Sequence, residues 1–351
     1  MSLELAKALS PHVTLRAFIS ANVENLGQWQ KADIDICPMH TLEATSLLGV
    51  LGETALRMGW LKIRRELSQY QPDIVHATML HPWLPLVLAG GIHRSRIVFT
   101  VHDPKPHPGE ASLPLIWLNR LCMVIADRRV VLTDTAKQSL IAQGFAPETI
   151  DIVPLGELSY YRDVGVSSGT QEAQVVLFFG RILAYKGLDH LFRAFPMVHA
   201  SLPQARLVVA GEGDLRPYAR LMRLCPNLEV HNHWIPDHLV SSLFSRATVV
   251  VLPYVEASQS GIVSIAASMG IPVVATQVGG LVEQVTACQA GLLVPPADPE
   301  ALARALISLL TDDRMRLEIS SNAKAVSAGT LSWSRIAQAQ LDSYRRAQAQ
   351  A

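Results

Sequence analysis

The stretch Val175-Val176-Leu177-Phe178-Phe179-Gly180-Arg181 decides the fold, because five apolar residues run directly into a glycine and a cation. A strand that is apolar at every position is buried on both faces, as in a parallel sheet covered by helices. Helical patterns separate this run from later ones, so the C-terminal half is predicted to be a doubly wound parallel sheet. The later runs lie at 207–210, 249–252, 272–275 and 292–294.

The N-terminal half repeats this scheme. Apolar runs that predict strands lie at 73–76, 96–102 and 129–132. At 351 residues the chain is longer than one hydrophobic core usually serves, so two domains of the same class are predicted. Glycines and serines without apolar periodicity occupy 154–174, which is therefore predicted to be the linker. The predicted domains are residues 1–158 and 159–330, followed by a C-terminal segment, 331–351.

The first residues are unusual for a doubly wound domain. A helical pattern at 3–9 comes first, and a strand is predicted after it at 13–15. Such domains normally open with a strand and a glycine-rich turn. We therefore expect the first strand and its loop to be absent from this polypeptide. The alternative is a fold that starts in a different way.

Bulk composition argues against several classes of function. Thirty basic and thirty acidic residues cancel, so no global field favours a nucleic-acid partner, and any anionic ligand must be held locally. The four cysteines form no CxxC pair, which argues against a zinc site and a disulfide framework. Neither a signal-peptide pattern nor an apolar run of membrane-spanning length is present, so a cytoplasmic protein is expected.

Two segments have the composition of helices that lie on a membrane surface. Residues 47–67 end in several cations, and residues 113–131 combine Trp117 and other apolar side chains with arginines. A packed domain helix carries the same apolar stripe with basic edges, and it is the preferred interpretation for both segments. A peripheral contact at the inner face of the membrane is the alternative.

Arg181 and Lys186 are the first candidate site residues. They follow the strand that leads into Gly180, and ligands of open α/β sheets bind outside the carboxyl ends of the strands. A guanidinium binds two phosphate oxygens and an ammonium acts as a point charge, so the pair suits a leaving nucleoside diphosphate without a metal ion. A solvated pair of loop cations is the alternative.

A second candidate site lies within residues 254–270. A predicted strand ends at Pro253, a small polar turn follows, and apolar residues then recur at helical spacing. The main-chain amides of Ser260, Gly261 and Ile262 would lie at the N-terminus of that helix, which attracts an anion such as phosphate. The Ser260 hydroxyl alone is better explained as a helix cap.

A third, weaker signal is the pair Gly279-Gly280 between another predicted strand and helix. Glycine lets the backbone approach a ligand closely, but glycines also serve ordinary turns. Glu283 follows, and its carboxylate could simply complement the helix N-terminus.

Taken in order, these motifs resemble family 4 of the retaining glycosyltransferases, which have the GT-B fold. The resemblance implies two Rossmann-like α/β domains facing a cleft. It also implies transfer of a sugar from a nucleotide donor to an acceptor hydroxyl, with the anomeric configuration kept and without a metal or other cofactor. The stretches that carry it are Gly180-Arg181 with Lys186-Gly187, Ala210-Gly211-Glu212-Gly213, Ser258-Gln259-Ser260-Gly261, Gly270-Ile271-Pro272-Val273-Val274-Ala275-Thr276, Val278-Gly279-Gly280 and Gly291-Leu292-Leu293-Val294-Pro295.

The resemblance also implies roles for single residues. Arg181 and Lys186 bind the donor diphosphate, and His102, at the end of a predicted strand, lies beside the transferred sugar. His107 and Glu110 are expected to face the acceptor. The helix that begins near Trp333 is expected to cross back to the N-terminal domain. The remaining expected donor contacts are Gly180, Gly211, Trp234, Ile235, Glu256, Ser260, Gly261, Ile262 and Glu283.

The expected substrates follow from the same resemblance. The donor is expected to be a UDP- or GDP-sugar, and the acceptor a glycan or a lipid-linked molecule, as in polysaccharide or glycolipid biosynthesis. Many family members carry two glutamates eight positions apart, and here those positions hold Ala257 and Ile265. Glu256 could replace the first glutamate and Glu283 the ribose contact of the second. Two alternatives stay open: a non-catalytic GT-B binding or scaffold protein, and a sugar-nucleotide epimerase.

Overall fold

A computed structural model describes residues 1–40, 54, 58–88, 96–106, 113–161 and 174–349 of the chain. Its strands form parallel sheets in two α/β domains, as predicted. The fold is therefore the α/β, doubly wound arrangement that the apolar runs indicate.

The C-terminal domain contains a six-stranded parallel sheet in the order β12-β11-β10-β7-β8-β9. The strands are buried because their side chains are apolar on both faces, and Leu177 and Val250 are fully enclosed by helices. The elements are β7 Val175–Phe179, α7 Leu188–Ser201, β8 Arg206–Ala210, α8 Ala219–Met222, β9 Leu228–His231, α9 Asp237–Arg246, β10 Val249–Leu252, α10 Gly261–Met269, β11 Val273–Thr276, α11 Gly279–Cys288, β12 Gly291–Val294, α12 Pro299–Thr311 and α13 Asp313–Ala328.

The N-terminal domain has its parallel strands in two hydrogen-bonded groups, β1-β2 and β3-β4-β5-β6. The described residues contain no strand that joins β1 to β3. The elements are α1 Ser2–Leu9, β1 Arg16–Ser20, α2 Leu26–Lys31, β2 Asp35–Met39, α3 Gly59–Tyr70, β3 Ile74–Ala77, α4 Leu84–Leu88, β4 Arg96–Thr100, α5 Leu113–Ile125, β5 Arg128–Val131, α6 Asp134–Ala142 and β6 Ile150–Ile152.

One of the predicted strands lies at a different position in the structure. The strand predicted at 13–15 was wrong in its position, because the ladder with β2 pairs Arg16 with Asp35 and continues to Ser20. Val13 is exposed, and the Thr14 carbonyl instead accepts a hydrogen bond from Tyr70 Oη at 3.0 Å. The apolar triplet therefore leads into the strand rather than forming it.

The C-terminal helix α14, Trp333–Ala349, returns to the N-terminal domain. Its inner face, including Ile336 and Leu341, packs with Val98 and Val130 of the N-terminal sheet. Buried Asp151 on β6 fastens the helix by polar contacts, since its carboxylate accepts hydrogen bonds from two residues of α14. The contacts are Ser343 Oγ to Asp151 Oδ2 at 2.6 Å and Arg346 Nε to Asp151 Oδ1 at 2.9 Å.

The chain crosses between the domains twice, and the two crossings lie against each other. The Glu157 amide donates to the Leu331 carbonyl at 2.9 Å, and Trp333 Nε1 donates to the Glu157 carbonyl at 2.7 Å. Trp333 also covers Gly156 so closely that a Cβ there would lie 2.8 Å from the indole ring. The crossings therefore form one packed junction.

Candidate active site

A cavity of about 270 Å³ lies between the two domains. His102 and Met79 line it from the N-terminal domain, and Gln259 and Gly261 line it from the C-terminal domain. His102 follows β4 and Gly261 begins α10, so both lie at carboxyl ends of parallel strands, where such sheets bind ligands. One predicted residue from each domain therefore reaches the same cavity.

Among the described residues, the Thr78 carbonyl is the hydrogen-bond partner of the His102 ring. The ring Nε2 lies 2.8 Å from the Thr78 carbonyl oxygen, which can only accept, so Nε2 carries the hydrogen. In the neutral ring Nδ1 is then an acceptor. The side chain is half-buried at the cavity wall, where it can contact a polar ligand.

Two side-chain amides also line this cavity. Asn25 Oδ1 and Gln259 Oε1 are buried and lack a hydrogen-bond partner among the residues that the structure describes. Asn25 sits at the start of α2 without capping it. Buried amide oxygens normally have a donor, so this pair is well suited to the hydroxyl groups of a ligand. Sequence reasoning did not single out Asn25, because no motif surrounds it.

The end of β7 brings Gly180 and Lys186 together. Gly180 has φ +119, and a Cβ there would lie 3.3 Å from Lys186 Nζ. The Lys186 ammonium donates to Tyr254 Oη at 3.1 Å and lies 4.8 Å from the centre of that ring. Tyr254 follows β10 and is buried. Lys186 thus points along the carboxyl edge of the sheet towards the strand that precedes the Ser258–Ser260 turn.

Gly211 has a steric role next to this lysine. It follows β8 with φ +147, and a Cβ there would lie 2.1 Å from the Gly180 carbonyl oxygen. Only glycine allows the two strand ends to meet so closely. Arg181, the next residue after Gly180, is exposed. Neither Arg181 nor Lys186 is among the residues that line the cavity of His102.

The Ser260 turn is capped as an ordinary helix start. Ser260 Oγ accepts from the Ile262 amide at 3.3 Å, and the Ser260 amide donates to Gln284 Oε1 at 2.7 Å. Two of the three predicted phosphate-binding amides therefore have protein acceptors here. The Gly261 amide lies in the first turn, where a helix offers no acceptor of its own, and Gly261 lines the cavity.

Glu283 reaches across to the N-terminal domain. Its Oε2 accepts from the Asp134 amide at 2.6 Å and its Oε1 from the Thr135 amide at 2.7 Å, and Thr135 Oγ1 also donates to Oε1. Both amides belong to the first turn of α6, so the carboxylate also faces the positive end of that helix. The contact joins the domains, and the predicted ribose contact of Glu283 stays a prediction.

The Gly279-Gly280 turn packs closely against the Ser258–Ser260 turn. A Cβ on Gly279 would lie 1.9 Å from the Ala257 carbonyl oxygen, and one on Gly280 would lie 2.0 Å from that of Ser258. The Ser258 carbonyl also accepts from Thr133 Oγ1 of the N-terminal domain at 3.4 Å. These glycines therefore hold the two turns and the domain contact in place.

The loop at 231–236 also faces the N-terminal domain. Trp234 is exposed over 57% of its surface, and its Nε1 donates to Glu24 Oε1 at 2.9 Å. Ile235 is buried in the core of the C-terminal domain. Neither contact shows whether this loop lies beside a nucleobase, so that expectation stays a prediction.

The two positions that depart from the family pattern are both apolar and buried. Ala257 and Ile265 lie in the core of the C-terminal domain, so neither provides a polar contact. Glu256 is exposed at the turn after β10. His107 and Glu110, expected on the acceptor side, lie outside the described residues.

Comparison with known proteins gives the family. The profile Glycosyl transferases group 1 matches residues 173–312, and the profile Glycosyltransferase Family 4 matches residues 34–156. A D-inositol 3-phosphate glycosyltransferase of Catenulispora acidiphila is 32% identical over 78% of this chain and 72% of its own length. An uncharacterized glycosyltransferase of Methanocaldococcus jannaschii is 33% identical over 61% of this chain, a match that spans only 55% of that protein.

Solved structures give the same fold. The Anabaena protein HepE, in complex with UDP-glucose, superposes with a TM-score of 0.75 at 18% sequence identity, over 98% of this chain and 94% of its own. The resemblance seen in the ordered motifs is therefore confirmed by both sequence and architecture. The chain belongs to family 4 of the glycosyltransferases and has the GT-B fold.

Proposed function

We propose that this chain transfers a sugar from a nucleotide-sugar donor to an acceptor hydroxyl, with retention of the anomeric configuration and without a metal ion. The observation that carries the proposal is the cavity shared by His102, Gln259 and Gly261, because it joins a polar group of one domain to a helix start of the other. An acceptor held by one domain and a donor held by the other would meet there.

The donor diphosphate is assigned to the carboxyl edge of the C-terminal sheet. Lys186 contributes a fixed cation there, since Tyr254 Oη holds its ammonium at 3.1 Å. Arg181 contributes a second charge from the adjoining loop. When the bond from the anomeric carbon to the diphosphate oxygen breaks, negative charge grows on the leaving group, and fixed cations stabilise it.

The transferred sugar is assigned to the cavity itself. His102 Nε2 is engaged by the Thr78 carbonyl, which leaves Nδ1 for a ligand, and the amides of Asn25 and Gln259 can bind hydroxyl groups. UDP- and GDP-sugars are the proposed donors, and Anabaena HepE has been solved with UDP-glucose. A glycan or lipid-linked hydroxyl is the proposed acceptor.

The test is incubation with a panel of UDP-, GDP- and ADP-sugars, with and without EDTA. A thermal shift with one donor and slow release of its nucleotide, both unaffected by EDTA, are expected. NMR of the transferred sugar reports the anomeric configuration. No shift with any donor would favour a binding or scaffold protein, and conversion of the donor into a different nucleotide sugar would identify an epimerase.

A further inference from the structure

Two polar contacts join the ends of β3 and β4 next to the cavity. His76 Nε2 lies 2.8 Å from Thr100 Oγ1, and His102 Nε2 lies 2.8 Å from the Thr78 carbonyl oxygen. The first contact lies within the two strands, and the second lies two residues further along each. The two rings are close enough for the charge of His102 to act on His76. The first contact therefore braces the strand end from which His102 projects.

Helix α14 covers the face of the sheet that carries His76. Ile74 and Val98 precede His76 and Thr100 by two residues, so they share that face, and both pack with the inner side of α14. Tyr344 of α14 reaches the same place. Its Oη lies 2.7 Å from His76 Nδ1, and the two rings meet edge to face with their centres 5.6 Å apart. His76 thus connects α14 to β4.

The three side chains form a satisfied hydrogen-bond network. Burial lowers the pKa of His76 to about 3, so the ring is neutral near pH 7. A neutral imidazole has one donor and one acceptor nitrogen, and the hydroxyls of Tyr344 and Thr100 can each take the complementary role. Thr100 is only 5% exposed. A satisfied polar network of low exposure is rigid, so it fixes the position of each member.

The partner of His102 is held from a second helix. Thr78 provides the carbonyl that accepts from His102, and its Oγ1 lies 3.1 Å from Ser2 Oγ at the start of α1. Helix α1 packs against α14, and Leu5 and Leu9 of α1 belong to the same core cluster as the inner side of α14. Both contacts that place the His102 ring are therefore attached to this pair of helices.

We propose that Tyr344, His76 and Thr100 are positioning residues that hold His102 at the cavity, so that the docking of α14 completes the site. None of the three is among the residues that line the cavity, so they act through His102 rather than on a ligand. A small misplacement of a group beside the reacting atoms is costly in rate. The effect on turnover rests on the proposed glycosyl transfer, whereas the placement of His102 does not.

The first experiment observes the His102 ring in the absence of any donor. The full chain is labelled with ¹⁵N-histidine, long-range ¹H–¹⁵N spectra report the tautomer of each ring, and His102→Gln identifies the His102 signals. In the parent chain His102 should carry its hydrogen on Nε2. Tyr344→Phe and Thr100→Val each remove a hydroxyl with little change of shape, and both should shift or broaden the His102 signals towards a mixture of tautomers.

Two matched controls accompany these variants. Tyr70→Phe removes a hydroxyl of the same domain that donates to the Thr14 carbonyl at 3.0 Å, and it should leave the His102 signals unchanged. Thr100→Ser keeps the hydroxyl that Thr100→Val removes, so it should recover the His102 signals of the parent chain. Urea unfolding checks that every variant is folded under the conditions of the spectra.

The second experiment measures initial rates with the donor found in the panel. Tyr344→Phe and Thr100→Val should lower kcat at least about fivefold and change the donor KM by less than about twofold, because the loss concerns alignment rather than binding. Thr100→Ser should recover most of the lost rate. A merely structural role would lower the stability of these variants and leave the kcat of the folded molecules at the parent value.

The proposal is overturned if the His102 signals stay unchanged in both Tyr344→Phe and Thr100→Val, or if Tyr70→Phe moves them equally. Sugar transfer at the parent rate by Tyr344→Phe would reject the positioning role and leave the proposed function standing. His102 signals that respond as expected, in a chain that releases no nucleotide from any donor, would support the placement of His102 and reject glycosyl transfer.

Discussion

Single residues at the carboxyl edge of the C-terminal sheet carry the proposed chemistry, and Lys186 is the most precisely placed of them. Its ammonium contacts Tyr254 and lies over the position that Gly180 leaves open. The sequence indicated the cation but not its partner, because Tyr254 is distant along the chain. His76, by contrast, is a half-buried residue of the N-terminal domain, and its ring nitrogens lie 2.8 Å from Thr100 Oγ1 and 2.7 Å from Tyr344 Oη.

Substitution Lys186→Ala should lower turnover by about a hundredfold or more, because one charge opposite the leaving group is lost. The free energy of unfolding should change by less than about 1 kcal/mol, as expected for a polar residue outside the core. Initial rates with the donor found in the panel measure the first effect and urea unfolding the second. Arg193→Ala is the control, since Arg193 is an exposed cation of the same domain paired with Asp189. Equal turnover in the two variants would contradict the diphosphate assignment.

His76 should make the N-terminal domain sensitive to mild acid. Burial, and to a smaller extent the charge of His102, lowers the pKa of His76 to about 3 from the usual 6.5. Between these values the unfolded chain binds a proton that the folded chain does not, so stability is full above pH 6.5 and falls as the pH decreases. From about pH 7 to pH 5 the free energy of unfolding should decrease by on the order of 2 kcal/mol because of this residue.

The measurement is urea unfolding at both pH values for the parent chain and for His76→Gln. The variant keeps hydrogen-bonding groups but does not titrate, so its stability should depend less on pH. His81, whose pKa burial also lowers, is present in both proteins and cancels in the comparison. The same pH dependence in both proteins would show that His76 does not carry it.

At the scale of helices and strands, burial decided what could be predicted. Strands β7, β10 and β11 are apolar at nearly every position, and the sequence located them within one residue. Edge strands were missed: β9 alternates Glu229 with apolar residues, and β2 contains Pro38, which argues against a strand. The Glu283 contact could not be predicted either, because it joins residues 149 positions apart.

Helix α14 provides a test at this scale, because a buried ion pair holds it. Arg128 is 1% exposed and donates to Asp151 through Nε at 2.6 Å and Nη2 at 2.8 Å. Burial by itself would raise the pKa of Asp151, but hydrogen bonds from Arg128 and Ser343 and the charge of Arg346 hold it below its usual value. The carboxylate therefore stays charged and connects β5, β6 and α14.

Asp151→Asn should destabilise the docking of α14 by about 3–5 kcal/mol, because it leaves the Arg128 charge buried without a counter-charge. Hydrogen exchange of the α14 amides measures the loss as faster opening. Arg346→Ala removes a partner that is half exposed, and it should cost less than about 1 kcal/mol. If the α14 amides exchanged equally fast in both variants, the buried Arg128–Asp151 pair would not be what holds the helix.

At the scale of the whole molecule, the relation between the two domains determines whether the cavity exists. The cavity takes residues from both, and Glu283 bridges them by accepting hydrogen bonds from the first turn of α6. The sequence indicated two domains and a cleft, but the contacts that set the distance across the cleft come from side chains that meet only in the folded chain.

Glu283→Ala should shift the domains towards a more open arrangement. The variant loses hydrogen bonds to a charged acceptor, each worth about 1.5–3 kcal/mol, so the ratio of open to closed molecules should rise about tenfold or more. Fluorescence energy transfer between labels on the two domains measures this ratio. Glu318→Ala, at an exposed acidic position on α13, should leave it unchanged. Identical transfer efficiencies in all three proteins would mean that Glu283 does not control closure.

The packed junction of the two crossings, at Gly156 and Trp333, limits how the domains can move. Two chain segments that run side by side let the domains rotate easily about one axis, the line through both segments. They resist twisting of one domain against the other about a single segment. We therefore expect any opening of the domains to follow one arc, which would return His102 to the same opposing surface. If the proposed transfer takes place in the cavity, this hinge would bring the two halves of the site back into the same register after each opening.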